Sequence, residues 1–171
     1  TLCGRSELSR EARKNTFGEL KETERFRSRV GTRLLMSSNY TVVFDANVMY
    51  PAPLRSFLMY LAVSGEFRAR WSEQIHEEWI RNLLLKRTDL TRKQLERIRD
   101  LMNANVPGSL VCGFEPLISA IVLPDPDDRH VVAAAIQTRA ESIITFNLKD
   151  FPESALSPYG LTALHPDDFI N

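Results

Sequence analysis

Cysteine is nearly absent: Cys3 and Cys112 are the only two in 171 residues. Two thiols cannot build a disulfide framework, which argues against a secreted, disulfide-stapled fold and for a reducing compartment, so the expected location is cytoplasmic. Long apolar runs are missing too. None approaches the roughly 20 residues that span a bilayer, so no membrane association is expected. The first residues are charged throughout and do not read as a signal peptide. Glycine is scarce at seven residues, and no GxGxxG, GxxxxGK[ST] or G-x-S-x-G stretch occurs, which removes the common phosphate-cradling loops and the nucleophile elbow. The three histidines, His76, His130 and His165, have no zinc-ligand spacing among themselves or with the cysteines. His76 and His130 are expected on helix surfaces.

Net charge is also lacking, with 22 basic and 22 acidic residues. Their distribution is uneven. Residues 110–171 hold nine Asp/Glu and three Lys/Arg, which leaves 13 acidic and 19 basic residues in 1–109. An acidic pocket beside a basic surface suits metal-assisted chemistry on a polyanion. Solvated charged faces would account for the same composition. Residues 1–35 differ from the rest, with nine basic and five acidic residues and few apolar anchors beyond Leu8, Phe17, Leu20 and Phe26. They read as a peripheral N-terminal extension, and 36–171 as one α/β domain large enough to bury its own core. A chain beginning at Met36 is therefore expected to melt at the same temperature as the full chain. A large drop would show that the segment belongs to the core.

Within 36–171, extended and helical patterns alternate. Tyr40–Phe44 (YTVVF) reads as a buried strand, Leu54–Ser64 as a helix closed by Gly65, and Phe67–Trp71 as a short extended piece. Ser72 caps a helix to about Lys86, and Thr91 caps another. Leu110–Cys112 and Ala120–Leu123 read as short strands, Asp127–Arg139 as a helix, Ser142–Phe146 as a strand and Gly160–Leu164 as a last strand. Such alternation predicts a parallel sheet covered on both faces, with ligands bound beyond the carboxyl ends of its strands.

The chemistry-bearing residues fall at those ends. Asp45 terminates the first strand in VVFDANV. On the Ser72 helix, Ile75, Trp79 and Leu83 form the inward face; Glu78 lies at its flank while Glu77 points nearly opposite. In LPDPDDRHVVAAAI, Asp125-Pro126 reads as an N-cap with proline at the first helical position. A helix dipole alone accounts for acids there, yet Asp128 shares the inward stripe of Val132 and Ala135, whereas Asp125 and Asp127 do not. An inward carboxylate requires a partner, and a divalent cation would supply one. In IITFNLKDF, Thr145 and Asn147 end the strand and Asp150 follows one turn later; turn chemistry is the plainer account of that segment. Hard oxygen ligands suit Mg2+ or Mn2+, ions that activate water and neutralise charge on a phosphodiester.

These four segments, in this order and spacing from Tyr40 to Phe151, resemble the PIN-domain family. The resemblance implies a three-layer α/β/α sandwich with a central parallel sheet and an Mg2+- or Mn2+-dependent endoribonuclease leaving 5′-phosphate and 3′-hydroxyl ends. Its acidic positions carry over to Asp45, Glu78, Asp128 and Asp150 as catalytic metal ligands. Thr145 and Asn147 accompany them on the substrate side, and many members have an acid where this chain has Asn147. Arg81, Lys86 and Arg87, with Arg92 and Lys93, are candidates to hold the RNA backbone. Many bacterial members are similar to VapC-type toxins, which implies an RNA substrate, a cognate antitoxin and a homodimer. The alternatives are a haloacid-dehalogenase-like phosphatase, for which Asn47 replaces the second aspartate, and a PIN-like binding module that no longer cleaves.

Overall fold

The computed structural model describes residues 39–170, so the proposed extension 1–35 lies outside the described residues. Four short strands form one sheet: β1 (Thr41–Phe44), β2 (Arg68–Arg70), β3 (Ser142–Ile144) and β4 (Thr162–Leu164), in the order β2-β1-β3-β4. Every pairing is parallel, with Val42 opposite Ala69, Val43 opposite Ile143 and Ser142 opposite Thr162. The central strands β1 and β3 are buried along their whole length, which is why they read as continuous apolar runs and not as alternation.

The helices that flank the sheet are α1 (Ala46–Met49), α2 (Ala52–Ser64), α3 (Glu73–Lys86), α4 (Arg92–Asn105), α5 (Arg129–Thr138), α6 (Glu153–Leu156) and α7 (Pro166–Ile170). The result is the expected α/β sandwich. α3 begins where Ser72 Oγ accepts from the Ile75 N–H at 3.2 Å, and α4 begins with a reciprocal capping box between Thr91 and Gln94. Gly65 closes α2 in the left-handed region, at φ +81°, where a side chain would be strained.

α5 carries six consecutive buried residues, His130 to Ala135. A helix covered on all sides needs small side chains, and the three alanines allow close approach to the sheet. Across the sheet, Phe44 meets Phe67 edge-on at 5.7 Å between ring centroids and stacks on Trp71 at 6.5 Å.

Three expectations are corrected. Residues 120–123 form no strand: a 3-10 helix occupies Glu115–Ala120, and Ile121 and Leu123 are buried around exposed Val122 with no neighbouring strand to pair with. That alternation imitates a strand. The Leu110–Cys112 strand reduces to one bridge between Leu110 and Trp71. His76 is not at the surface but fully buried. Its Nδ1 accepts from Trp79 Nε1 at 3.0 Å, so Nε2 carries the proton and donates to Asn103 Oδ1, 3.1 Å away. Burial holds this imidazole down at about 4, hence neutral. Trp71 Nε1 donates to the same Asn103 oxygen at 2.7 Å, so a satisfied polar network ties α3 to α4.

Candidate active site

The sheet's carboxyl end places Asp45 directly after β1 and Thr145 directly after β3. The ladder continues to both, because Asp45 N–H donates to Ile144 O at 3.1 Å and Thr145 N–H to Leu164 O at 3.0 Å. Asp45 is only 3% exposed. Its Oδ2 accepts from Thr145 Oγ1 at 2.7 Å and from Asn47 Nδ2 at 2.6 Å. Asn47 then bridges back: its Nδ2 lies 2.9 Å from Thr145 Oγ1, and its Oδ1 accepts the Phe146 N–H at 3.1 Å. Thr145 Oγ1 also accepts the Asn147 N–H at 3.0 Å. A buried carboxylate is thus fixed in orientation by side chains from two adjacent strand ends.

Burial pushes the Asp45 carboxyl up to about 6, and the charge of Glu78 adds to this, while the Thr145 hydroxyl, the Ala46 N–H and His130 pull the other way. Asp128 is pushed up to about 7, first by burial and then by the charges of Asp45, Asp125, Asp150 and Glu78. Asp45, Glu78 and Asp150 thus all act on Asp128, and Glu78 acts on Asp45 as well. Carboxylate oxygens of Asp125, Asp128 and Asp150 come within 4.8 Å of each other. Asn147 Nδ2 donates to Asp150 Oδ2, so this amide orients an acid of the cluster.

Asp125 was not expected in this group. It is an N-cap, accepting the Asp127 N–H at 2.9 Å, but the turn it caps is a 3-10 helix, Pro126–Asp128, and not the first turn of α5. In a 3-10 turn residues three apart eclipse, so Asp125 and Asp128 face the same way. The proline at the first position was the signal that the helix starts irregularly. Asn47 was likewise read only as a missing acid, not as a clamp on Asp45. His130 is corrected as well: it is 3% exposed, with Nε2 3.4 Å from Glu78 Oε2. Glu77, by contrast, is exposed and held by Arg92 through two bonds of 2.8 Å.

The proposed backbone-binding residues are spread outside the cluster. Arg81 is exposed at the surface of α3. The Lys86 ammonium sits over the Tyr50 ring, 5.3 Å from its centroid. Arg87 forms an exposed bidentate pair with Asp89 at 2.8 and 2.7 Å, and Arg92 is engaged by Glu77. Exposed pairs of this kind are weak and exchange readily for a phosphate.

The donor set fits a hard divalent cation: all-oxygen ligands, mutual repulsion among carboxylates, and one acid anchored in the core. Thr145 tests the anchoring. Thr145→Val removes the hydroxyl that donates to Asp45 and accepts from Asn147 N–H while keeping the shape. Mn2+ affinity is expected to fall about 10- to 100-fold, with Thr145→Ser near the parent value. Equal affinity for the valine variant would show that Asp45 needs no such support.

A PIN domain model matches residues 41–149, well over half of the chain; the match includes Asp45, Glu78, Asp125 and Asp128 and ends one residue before Asp150. The chain is also 65% identical over 58 residues to a Mycobacterium tuberculosis protein named "Putative ribonuclease VapC50"; that stretch covers 34% of this chain and 34% of that protein. No solved structure matches the chain. With its parallel sheet, its acids gathered at the strand ends and the matched residues between them, this chain belongs to the PIN domain family.

Proposed function

We propose that this protein is a ribonuclease dependent on Mg2+ or Mn2+ and the toxin of a type II toxin–antitoxin pair. The observation that carries the reading is the acid cluster itself: Asp45 and Asp128 are both held far above the usual carboxylate range by burial and by acid neighbours. Such repulsion disfavours the apo protein and is relieved when a divalent cation binds. Membership of the PIN family and the name of the mycobacterial relative point the same way.

Asp45, Asp128, Glu78 and Asp150 would hold the metal, with Asp125 now added to them. When bound, Mg2+ or Mn2+ supplies charge neutralisation at the phosphodiester and lowers the pKa of water. The protein's own groups do the positioning. Thr145 and Asn47 fix the Asp45 carboxylate, Asn147 fixes Asp150, and His130 stands beside Glu78. Arg81, Lys86 and Arg87 would meet the RNA backbone beyond the cluster, a contribution expected to weaken with salt. Hydrolysis would leave 5′-phosphate and 3′-hydroxyl ends.

The phosphatase alternative lacks its second acid, because Asn47 uses its amide to hold Asp45. The antitoxin and the homodimer belong to this proposal. In support, Phe57, Tyr60 and Val63 are exposed at three-residue spacing along α2, an apolar face that a partner would cover. Among the described residues no helix is long and apolar enough to cross a membrane, and a cytoplasmic location accords with an RNA substrate. The experiment is RNA cleavage in Mg2+ or Mn2+ and again with chelator. Cleavage that persists undiminished with chelator would contradict the reading.

A further inference from the structure

We propose that Phe146, flanked by His165 and Lys149, is a stacking platform for one nucleobase of a single-stranded RNA whose phosphodiester lies at the acid cluster; the proposal rests on the ribonuclease reading above. Phe146 is 44% exposed although it directly follows Ile143, Ile144 and Thr145, each wholly buried. Leaving a phenyl ring in water forgoes a large burial gain, and this one is held there. Its N–H donates to Asn47 Oδ1, the same amide that clamps Asp45. Its ring meets His165 at 5.2 Å between centroids and 69° between planes. His165 is itself oriented, with Nδ1 accepting the Asp167 N–H at 3.3 Å. One edge-to-face neighbour props a ring without enclosing it.

Position decides what the ring serves. Thr145 Oγ1 is 2.7 Å from Asp45 Oδ2, and Phe146 is the next residue. Successive Cα atoms are about 3.8 Å apart, so the ring stands within on the order of 10 Å of the Asp45 carboxylate. A base adjoining the scissile phosphate can span that. The surroundings favour a base over an apolar protein anchor. Exposed Lys149 lies on the same turn and offers an ammonium to a phosphate. Every base has a π-face, so the platform tolerates sequence but demands an unstacked strand.

The test uses the Asp128→Asn protein, which keeps the RNA intact. Adding Phe146→Ala is expected to weaken a single-stranded RNA oligonucleotide about 5- to 150-fold, the range that loss of one stacked base produces. Phe146→Trp should restore binding and Phe146→Leu should not. An oligonucleotide with one abasic position should lose the same factor against Phe146 and nothing further against Phe146→Ala. With Asp128 intact, Mn2+ affinity of the Phe146→Ala protein should equal the parent's, which excludes collapse of the site. Undiminished binding by Phe146→Ala overturns the platform. So does rescue by leucine equal to that by tryptophan, which would mark an apolar protein contact. RNA cleavage that is metal-dependent but indifferent to Phe146 overturns the platform alone, whereas a parent protein that neither binds nor cleaves RNA overturns the ribonuclease reading with it.

Discussion

Asp45→Asn and Asp128→Asn are each expected to lower metal-dependent RNA cleavage by more than about 100-fold while raising the melting temperature of the metal-free protein. Substitution of groups that merely support metal ligands costs about 10- to 100-fold in affinity or activity, so removal of a ligand should exceed that. The opposite effect on stability follows from the same electrostatics. Asp45 is almost wholly buried, and burial and Glu78 raise its carboxyl from 3.8 to about 6. Keeping it ionised above that pH costs the fold on the order of 3 kcal/mol as an upper limit, at about 1.4 kcal/mol for each tenfold change. Asparagine removes the charge, and its carbonyl can still accept from Thr145 Oγ1 and Asn47 Nδ2. A loss of activity together with a higher melting temperature separates a missing ligand from a damaged fold. Cleavage at the parent rate by either variant would remove that residue from the metal site.

The second large effect is on pH. Both Asp45 and Asp128 titrate higher in the fold than in the unfolded chain, at about 6 and about 7 against 3.8. The folded state therefore binds these protons more tightly. Its advantage is full below about pH 4 and is lost as pH rises through 6 and 7. From the Asp45 contribution alone, metal-free protein is expected to melt up to roughly 6–12 °C lower at pH 8 than at pH 4.5, for a chain of this size. Mg2+ or Mn2+ should reverse the loss at pH 8, by about 2.7 kcal/mol at a hundredfold excess over its dissociation constant. It should do little at pH 4.5, where the carboxyls hold protons and compete. Melting curves with chelator and with Mn2+ at the two pH values check this. A metal-induced shift of equal size at both would mean that the ion binds elsewhere.

Much of the fold was readable because each signal was local. Ser72 with Glu73 begins α3 and Lys86 ends it, and the last four residues of the YTVVF run, Thr41–Phe44, form the buried central strand β1 while Tyr40 lies outside it, exposed; caps and continuous apolar strands depend on immediate neighbours. Asp45 and Glu78 were legible as candidates through strand-end position and helical periodicity. What escaped depended on the kind of turn or on distant packing. Asp125 was rightly kept off the inward stripe, since it is exposed, but its place beside Asp128 was hidden while Pro126–Asp128 was taken for α-helix; with three residues per turn the two lie on one side. His130 could not be placed by periodicity, because α5 is buried on nearly every side and offers no contrast between faces. The Ala120–Leu123 strand failed for the converse reason: its alternation was real, but no strand lies beside it. Asn47 became visible as a clamp only once β3 brought Thr145, 98 residues away, next to it.

The most direct test is anomalous scattering from crystals grown with Mn2+. The account predicts a manganese peak among the carboxylates of Asp45, Glu78, Asp125, Asp128 and Asp150, and no such peak in Asp128→Asn crystals. Well-ordered crystals in millimolar Mn2+ with no anomalous density at these carboxylates, or with density unchanged by Asp128→Asn, would contradict it.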